Sequence, residues 1–313
     1  MDWQAGSPQF DRDVYDGGEQ TQSQAADNSA ITEVLRTRMQ RVDLALLLTI
    51  PLLLVVVFSL ADAIKLELTF AYQQPTVVTA FTAHFIHLDV AHLAANLLLY
   101  GVIASAVYAL SLLSDRRTEF LAVVVTFLVV FPVVLSGLNL VIPRPRIGYG
   151  FSGIIMAFAG LLTVMIGEYV AVQFGGGIHR NHSAVLFYLV VAIITAVEVP
   201  FYPGSRAVLG LSVVGGLLTL SSIMSSVRRA GALNWEVVCR PGYAEITVWG
   251  LALVVMTPFI AVPSSTPIRP GTVPNVYLHF LGFAFGYLVP FIGLNIIETG
   301  SDVIPRISPP HAG

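Results

Sequence analysis

Long apolar runs recur along this chain, and each is closed by a short polar loop. They lie at about Leu44–Ala61, Val90–Leu113, Phe120–Val141, Ser152–Ile166, Ala184–Val199, Ala207–Ser226, Ile246–Val262 and Val276–Ile297. A bilayer span needs roughly 20 mostly apolar residues, so the pattern predicts about eight spans. The connection Asp62–Asp89 holds no such run, yet it carries Phe70, Tyr72, Val77, Val78, Phe81 and Phe85. That mixture predicts a loop lying partly in the membrane interface, where amphipathic rings are favoured. Wherever it dips into lipid it must rest on protein. Ile31–Val42 reads as a short surface helix before the first span.

Composition agrees with this pattern. The chain has 313 residues, 55% hydrophobic and 11% charged, where a soluble domain carries about 25% charged residues. The expected fold class is therefore all-α, a polytopic membrane helix bundle. The net charge of −3 says little for such a chain. The single cysteine, Cys239, excludes an internal disulfide. The first forty residues lack a long apolar run, so no cleavable signal peptide is expected. Asp2, Asp11, Asp13, Asp16, Glu19, Asp27 and Glu33 stand against Arg12 alone, a composition that cannot bury a core. The expected division is a disordered acidic cytoplasmic tail (1–40), a membrane domain (41–298) and a short cytoplasmic tail (299–313).

Basic residues orient the ladder. Arg36, Arg38 and Arg41 place the N-terminus inside. Alternation then puts Arg116, Arg117, Arg180, Arg228, Arg229, Arg240 and Arg306 on inner loops. Lys65, Arg144, Arg146, Arg206 and Arg269 fall on outer loops.

Ionisable and polar residues inside a membrane are costly and mark candidate sites. Three groups qualify. His92 and Asn96 share a helix face at the outer start of the second span. Two fixed donors there suit a developing negative charge; bonding across a helix interface is the plainer alternative. Ser152 lies between Gly150 and Gly153 at the start of the fourth span. It is a nucleophile if a base takes its proton; otherwise it is a small packing residue bonded to its own helix. His279 precedes the Gly282-x3-Gly286 step at the start of the last span. That step permits close backbone approach, and packing on Gly153, Ala157 and Gly160 would bring the imidazole to Ser152. A satisfied core histidine is the bland alternative. The spans carrying His92, Ser152 and His279 all run inward, and each polar residue lies near the outer end.

His87-x4-His92-x3-Asn96, Gly150-Phe-Ser152-Gly153 and His279-x2-Gly282-x3-Gly286 together resemble the rhomboid intramembrane serine proteases, in order and in internal spacing. The resemblance spans about Leu44–Ile297. It implies a rhomboid-like six-helix core, here with about two additional spans between serine and histidine. It implies peptide hydrolysis in or near substrate transmembrane segments by a Ser–His dyad. Ser152 would be the nucleophile and His279 the general base and acid. His92, Asn96 and the Ser152 backbone N–H would form the oxyanion hole. Gly150, Gly153, Gly282, Gly286 and His87 would support packing. The chain departs from the family at Met156, where an aromatic ring is common, and it lacks the Trp-Arg pair of the first outer loop.

The partners so implied are transmembrane protein substrates and the lipid bilayer, with the site opening outward from a cell membrane. No nucleic acid, cofactor or metal is expected, and the pattern names no oligomeric state. His179-x2-His182 has too few ligands for a metal site. Asp89 is placed to cap the second span, and Glu198 reads as a solvated helix end. A non-catalytic rhomboid-like protein that binds membrane clients, and a transporter relaying protons through His92, Asn96 and His279, are the competing functions.

Overall fold

A computed structural model describes residues 31–142, 147–175, 180–198, 206–229, 235–261 and 275–303. Helix α1 (31–38) leads into α2 (Arg41–Phe58). The connection that follows holds α3 (Asp62–Glu67), β1 (Phe70–Ala71), α4 (Val77–Thr82) and a 3-10 turn at Ala83–Phe85. Next come α5 (Val90–Leu113), α6 (Arg117–Val129), α7 (Phe131–Asn139), β2 (Ile147–Gly148) and α8 (Ser152–Phe174). A second 3-10 turn (Arg180–Ser183) precedes α9 (Ala184–Glu198) and α10 (Arg206–Arg229). Helices α11 (Trp235–Val238), α12 (Tyr243–Ala261) and α13 (Val276–Val303) complete the chain. The fold is all-α apart from the antiparallel pair β1–β2, in which Phe70 faces Gly148 and Ala71 faces Ile147.

Among the described residues, four helices are long and apolar enough to cross a membrane: α2, α5, α8 and α13 over Tyr277–Ile297. The expected third span is a bent pair, α6 and α7, turned by 49° at their junction. Pro132 lies in the first turn of α7; it lacks an N–H and its ring crowds the preceding turn, which breaks the helix there. Helices α9, α10 and α12 hold shorter apolar stretches, Asn181–Ala196, Leu209–Ser225 and Tyr243–Phe259. The span expected to stop at Ile166 instead continues to Phe174, past Gly167 and Glu168. Glu168 does not end it because Arg116 pairs with it at 3.0 Å. Asp89 does cap α5, accepting the His92 backbone N–H at 3.0 Å. Expectations for the acidic tail before residue 31, for 143–146, for His179, for Arg269 and for the tail beyond 303 fall outside the described residues. Residues 299–303, expected to be tail, continue α13.

Helix α8 is the centre of the bundle, with 89% of its apolar window buried. Its most intimate neighbour is α13. A Cβ on Gly282 would collide with the Gly153 carbonyl oxygen, and one on Gly286 with the backbone of Ala157. A Cβ on Gly160 would run into the backbone of Phe283, Gly286 and Tyr287. The two helices therefore touch backbone to backbone, an approach open only to glycine-lined faces. Residue numbers rise together along this contact, so α8 and α13 are parallel. Helix α5 is parallel to them as well. Its His92 packs on Gly150, its Tyr100 on Phe151 and Phe158, and its Leu113 carbonyl accepts from Gln173.

Candidate active site

The parallel arrangement delivers Ser152 and His279 to the same end of the bundle. Ser152 is the first residue of α8 and His279 lies in the first turns of α13. Ser152 Oγ is 2.8 Å from His279 Nε2. Ser152 is half-buried and His279 is 6% exposed. For Nε2 to accept the serine proton, Nδ1 must carry the ring's own proton. His279 Nδ1 is buried with no hydrogen-bond partner among the described residues. Among the described residues, therefore, no carboxylate orients the imidazole. Burial and the backbone contact through Gly282 fix it instead.

Gly153 contributes less than its position suggested. The atoms nearest to a Cβ there would be those of the Leu278 side chain, at 3.1–3.7 Å. What matters at Gly153 is its carbonyl, on which Gly282 rests. Met156 is fully buried in the same contact, its Cβ 3.2 Å from where a Cβ of Gly282 would stand. It fills the space between α8 and α13 one turn below Ser152.

The chain ahead of Ser152 is shaped by Gly150, whose φ of +109° is a conformation that favours glycine. A Cβ at Gly150 would also sit 2.7 Å from His92 Cε1. The His92 ring thus lies directly against the backbone leading to Ser152. It makes edge contacts with His87, at 4.9 Å between centroids, and with Tyr149, at 5.8 Å. Asn96 is buried, and one of its amide hydrogens goes to the His92 carbonyl at 2.8 Å. An amide nitrogen has two hydrogens, so one remains for a ligand. The helix itself adds unpaired first-turn N–H groups, which give α8 a partial positive charge at Ser152.

His87 braces the same segment. Its Nε2 accepts the Phe151 backbone N–H at 3.5 Å. Burial, with a smaller contribution from His92, holds its pKa down to about 3. The connection between α2 and α5 does more than cover this region. The Ala83 carbonyl accepts the Gly150 N–H at 2.9 Å, and Phe85 packs on Phe151. His84 Nε2 lies 3.0 Å from Ser136 Oγ, which donates in turn to the Ala80 carbonyl at 2.8 Å. A hydroxyl has one hydrogen, so His84 is the donor and Ser136 is no nucleophile. Burial lowers the His84 pKa to about 4, which keeps this second Ser–His pair neutral and structural.

Three further residues were invisible as site residues in the sequence. The Tyr72 hydroxyl accepts from Asn275 Nδ2 at 2.9 Å and from Asn139 Nδ2. Asn275 caps α13 by accepting the Leu278 N–H at 3.2 Å. Residues 72 and 275 are 203 positions apart, beyond the reach of any local pattern. No group of three or more His, Cys, Asp or Glu able to hold a metal occurs among the described residues, and Cys239 is exposed.

No family model matches this chain, and neither a curated protein nor a solved structure matches it.

Proposed function

We propose that this chain is an intramembrane serine endopeptidase of the rhomboid type. It hydrolyses peptide bonds in or near transmembrane segments of membrane-protein substrates. The observation that carries the reading is the 2.8 Å approach of Ser152 Oγ to His279 Nε2. It occurs between parallel helices at one depth, beside the His92/Asn96 pair. A serine becomes nucleophilic when a base sits within hydrogen-bond reach, and this pair meets that condition.

In the proposed reaction Ser152 Oγ attacks the scissile carbonyl carbon while His279 Nε2 takes the hydroxyl proton. The carbonyl oxygen becomes an oxyanion, held by His92, the free hydrogen of Asn96 and first-turn amides of α8. Collapse breaks the C–N bond, and His279 returns the proton to the leaving amine. Water then attacks the acyl-serine, losing a proton to His279; the C–Oγ bond breaks, His279 returns the proton to Ser152 Oγ, and the new carboxyl end is freed. A helical amide is shielded by its own hydrogen bonds, so the substrate must unwind locally. Small or helix-weakening residues near the cleavage point favour that.

The reading also sorts the extra helices. Helix α12 packs on α8, with Gly250 against Ile166 and near Leu110 of α5. It takes the place of the single helix that separates serine from histidine in the six-span core. The α9–α10 hairpin is then the addition, joined internally where Gly215 rests on Ala192. The His279 end faces outward and the arginine-rich end inward, for about eight spans in all.

The test is cleavage of a transmembrane substrate by protein reconstituted in liposomes. The wild type cleaves and Ser152→Ala does not. Equal cleavage by the two would remove the serine from the mechanism.

A further inference from the structure

One tyrosine side chain touches both chain segments that meet at the catalytic pair. The segment carrying the nucleophile runs from Gly148 to Ser152. Gly148 lies against the Tyr72 ring, where a Cβ would come 3.0 Å from the hydroxyl oxygen. β1, just before Tyr72, holds the same segment by pairing Phe70 with Gly148. The segment carrying the base runs from Asn275 to His279. Asn275 Nδ2 donates to the Tyr72 hydroxyl at 2.9 Å. The Asn275 carbonyl accepts the backbone N–H of His279 itself at 3.2 Å. The position of His279 therefore follows directly from that of Asn275. The third partner, Asn139, ends α7 and is 2% exposed, so the hydroxyl is anchored to the buried bundle.

We propose that Tyr72 is a positioning residue for the Ser152–His279 pair, its ring resting against Gly148 of the nucleophile's segment while its hydroxyl holds Asn275 of the base's segment. It touches neither reacting group. It acts four residues upstream of each, through Gly148 and Asn275. This inference rests on the protease reading of the site.

The chemistry makes the hydroxyl matter. Without it, the Asn275 and Asn139 amides lose their shared acceptor, and Asn139 is buried, where an unpaired amide is costly. The first turn of α13 is then free to drift, and small misplacements of a reacting group lower the rate steeply.

The experiment uses the full chain in liposomes and a fluorophosphonate, with the inactivation rate resolved into probe affinity and the limiting rate at saturation. Tyr72→Phe keeps the ring and removes the hydroxyl. Asn275→Ser keeps a good helix cap but is too short to reach Tyr72. Each variant is expected to lower the limiting rate about ten-fold. Probe affinity should stay near wild type in both; Tm should fall in Tyr72→Phe, which strands the buried Asn139 amide, and stay near wild type in Asn275→Ser, which does not. The backbone N–H of His279 should exchange faster with solvent in each. The double variant should be no slower than the slower single one. Wild-type limiting rates in both single variants, with Ser152 still labelled, would overturn the positioning role alone. So would losses that multiply in the double variant, or a rate loss seen only in Tyr72→Phe, where Tm falls, and absent from Asn275→Ser. A wild type that takes no label at Ser152 overturns the protease reading, and this role with it.

Discussion

The two ends of α8 are held by different physics. At the Phe174 end the neighbours are charged. Arg116 pairs with Glu168 at 3.0 Å and with Glu119 at 3.4 Å. Arg117 grips the buried carboxylate of Asp43 through two nitrogens, at 2.7 and 2.5 Å, and the Tyr108 hydroxyl donates to the same carboxylate at 2.7 Å. Arg38 reaches Asp115 and the Leu112 carbonyl. At the Ser152 end, apart from the Asp89 carboxylate that caps α5, the links are neutral: imidazole, amide, phenol, hydroxyl and bare glycine backbone. Here Asn96 Oδ1, Asn139 Oδ1 and His279 Nδ1 are buried without partners among the described residues. A bidentate Arg–carboxylate clamp fixes geometry and suits an end that only has to hold. Buried polar atoms left unpaired cost stability, and at the charged end Ser114 Oγ is such an atom as well, so the contrast lies in the charged clamps rather than in unpaired atoms alone.

Breaking the Ser152 end chemically should give the largest effect on function. His279→Ala is expected to cut substrate cleavage and fluorophosphonate labelling by about 10⁴-fold or more, with Tm little changed. Breaking the same end sterically comes next. Gly282→Val drives a branched side chain into the Gly153 carbonyl, so α13 must move away from α8. Both activity and Tm should drop, as overpacking costs about 1–3 kcal/mol or more. Gly153→Ala, whose nearest contact is the Leu278 side chain, should retain most of both.

Asn96→Ala removes one of the proposed oxyanion donors and should lower kcat by about 10²–10³ while leaving KM close to wild type. The charged end should respond in the opposite manner. Arg117→Ala strands the buried Asp43 carboxylate and should depress Tm clearly. The labelling rate of molecules still folded should be unchanged. A parallel loss of labelling at temperatures well below Tm would show that the two ends are not independent.

The smallest expected effect is a pH dependence. His84 and His87 have folded pKa values near 4 and 3, below the ordinary value of 6.5. The unfolded chain therefore binds more protons than the folded one below pH 6.5. Their contribution is full above 6.5 and is lost as pH falls towards 4. Tm should decline across that window, and His84→Asn should flatten the decline. A Tm flat from pH 6.5 to 4 in the wild type would contradict the buried neutral assignment.

Much of the site was legible because its signals are local. The extent Val90–Leu113, the Asp89 cap and the glycine steps near Ser152 and His279 lie within a few residues of one another. Running the three helices in parallel required only a count of spans. What stayed hidden depends on distant partners. The fourth span, expected to stop at Ile166, runs on; Glu168 lies inside the longer helix, paired with Arg116, 52 positions away. Tyr72 reads as an interfacial ring until Asn275 comes to it. Gly160 looked like one small residue among several, and only the backbone of α13 shows how tightly it is used. Pro132 was visible, but its bend follows from its place in the middle of an apolar run.

The central claim is that Ser152 is an activated nucleophile. The direct measurement is to treat the wild-type protein in liposomes with a fluorophosphonate and locate the adduct by peptide mass spectrometry. The account predicts a single phosphonylated residue, Ser152, and no adduct in His279→Ala over the same time. Label absent from Ser152, or equal labelling with and without His279, would contradict it.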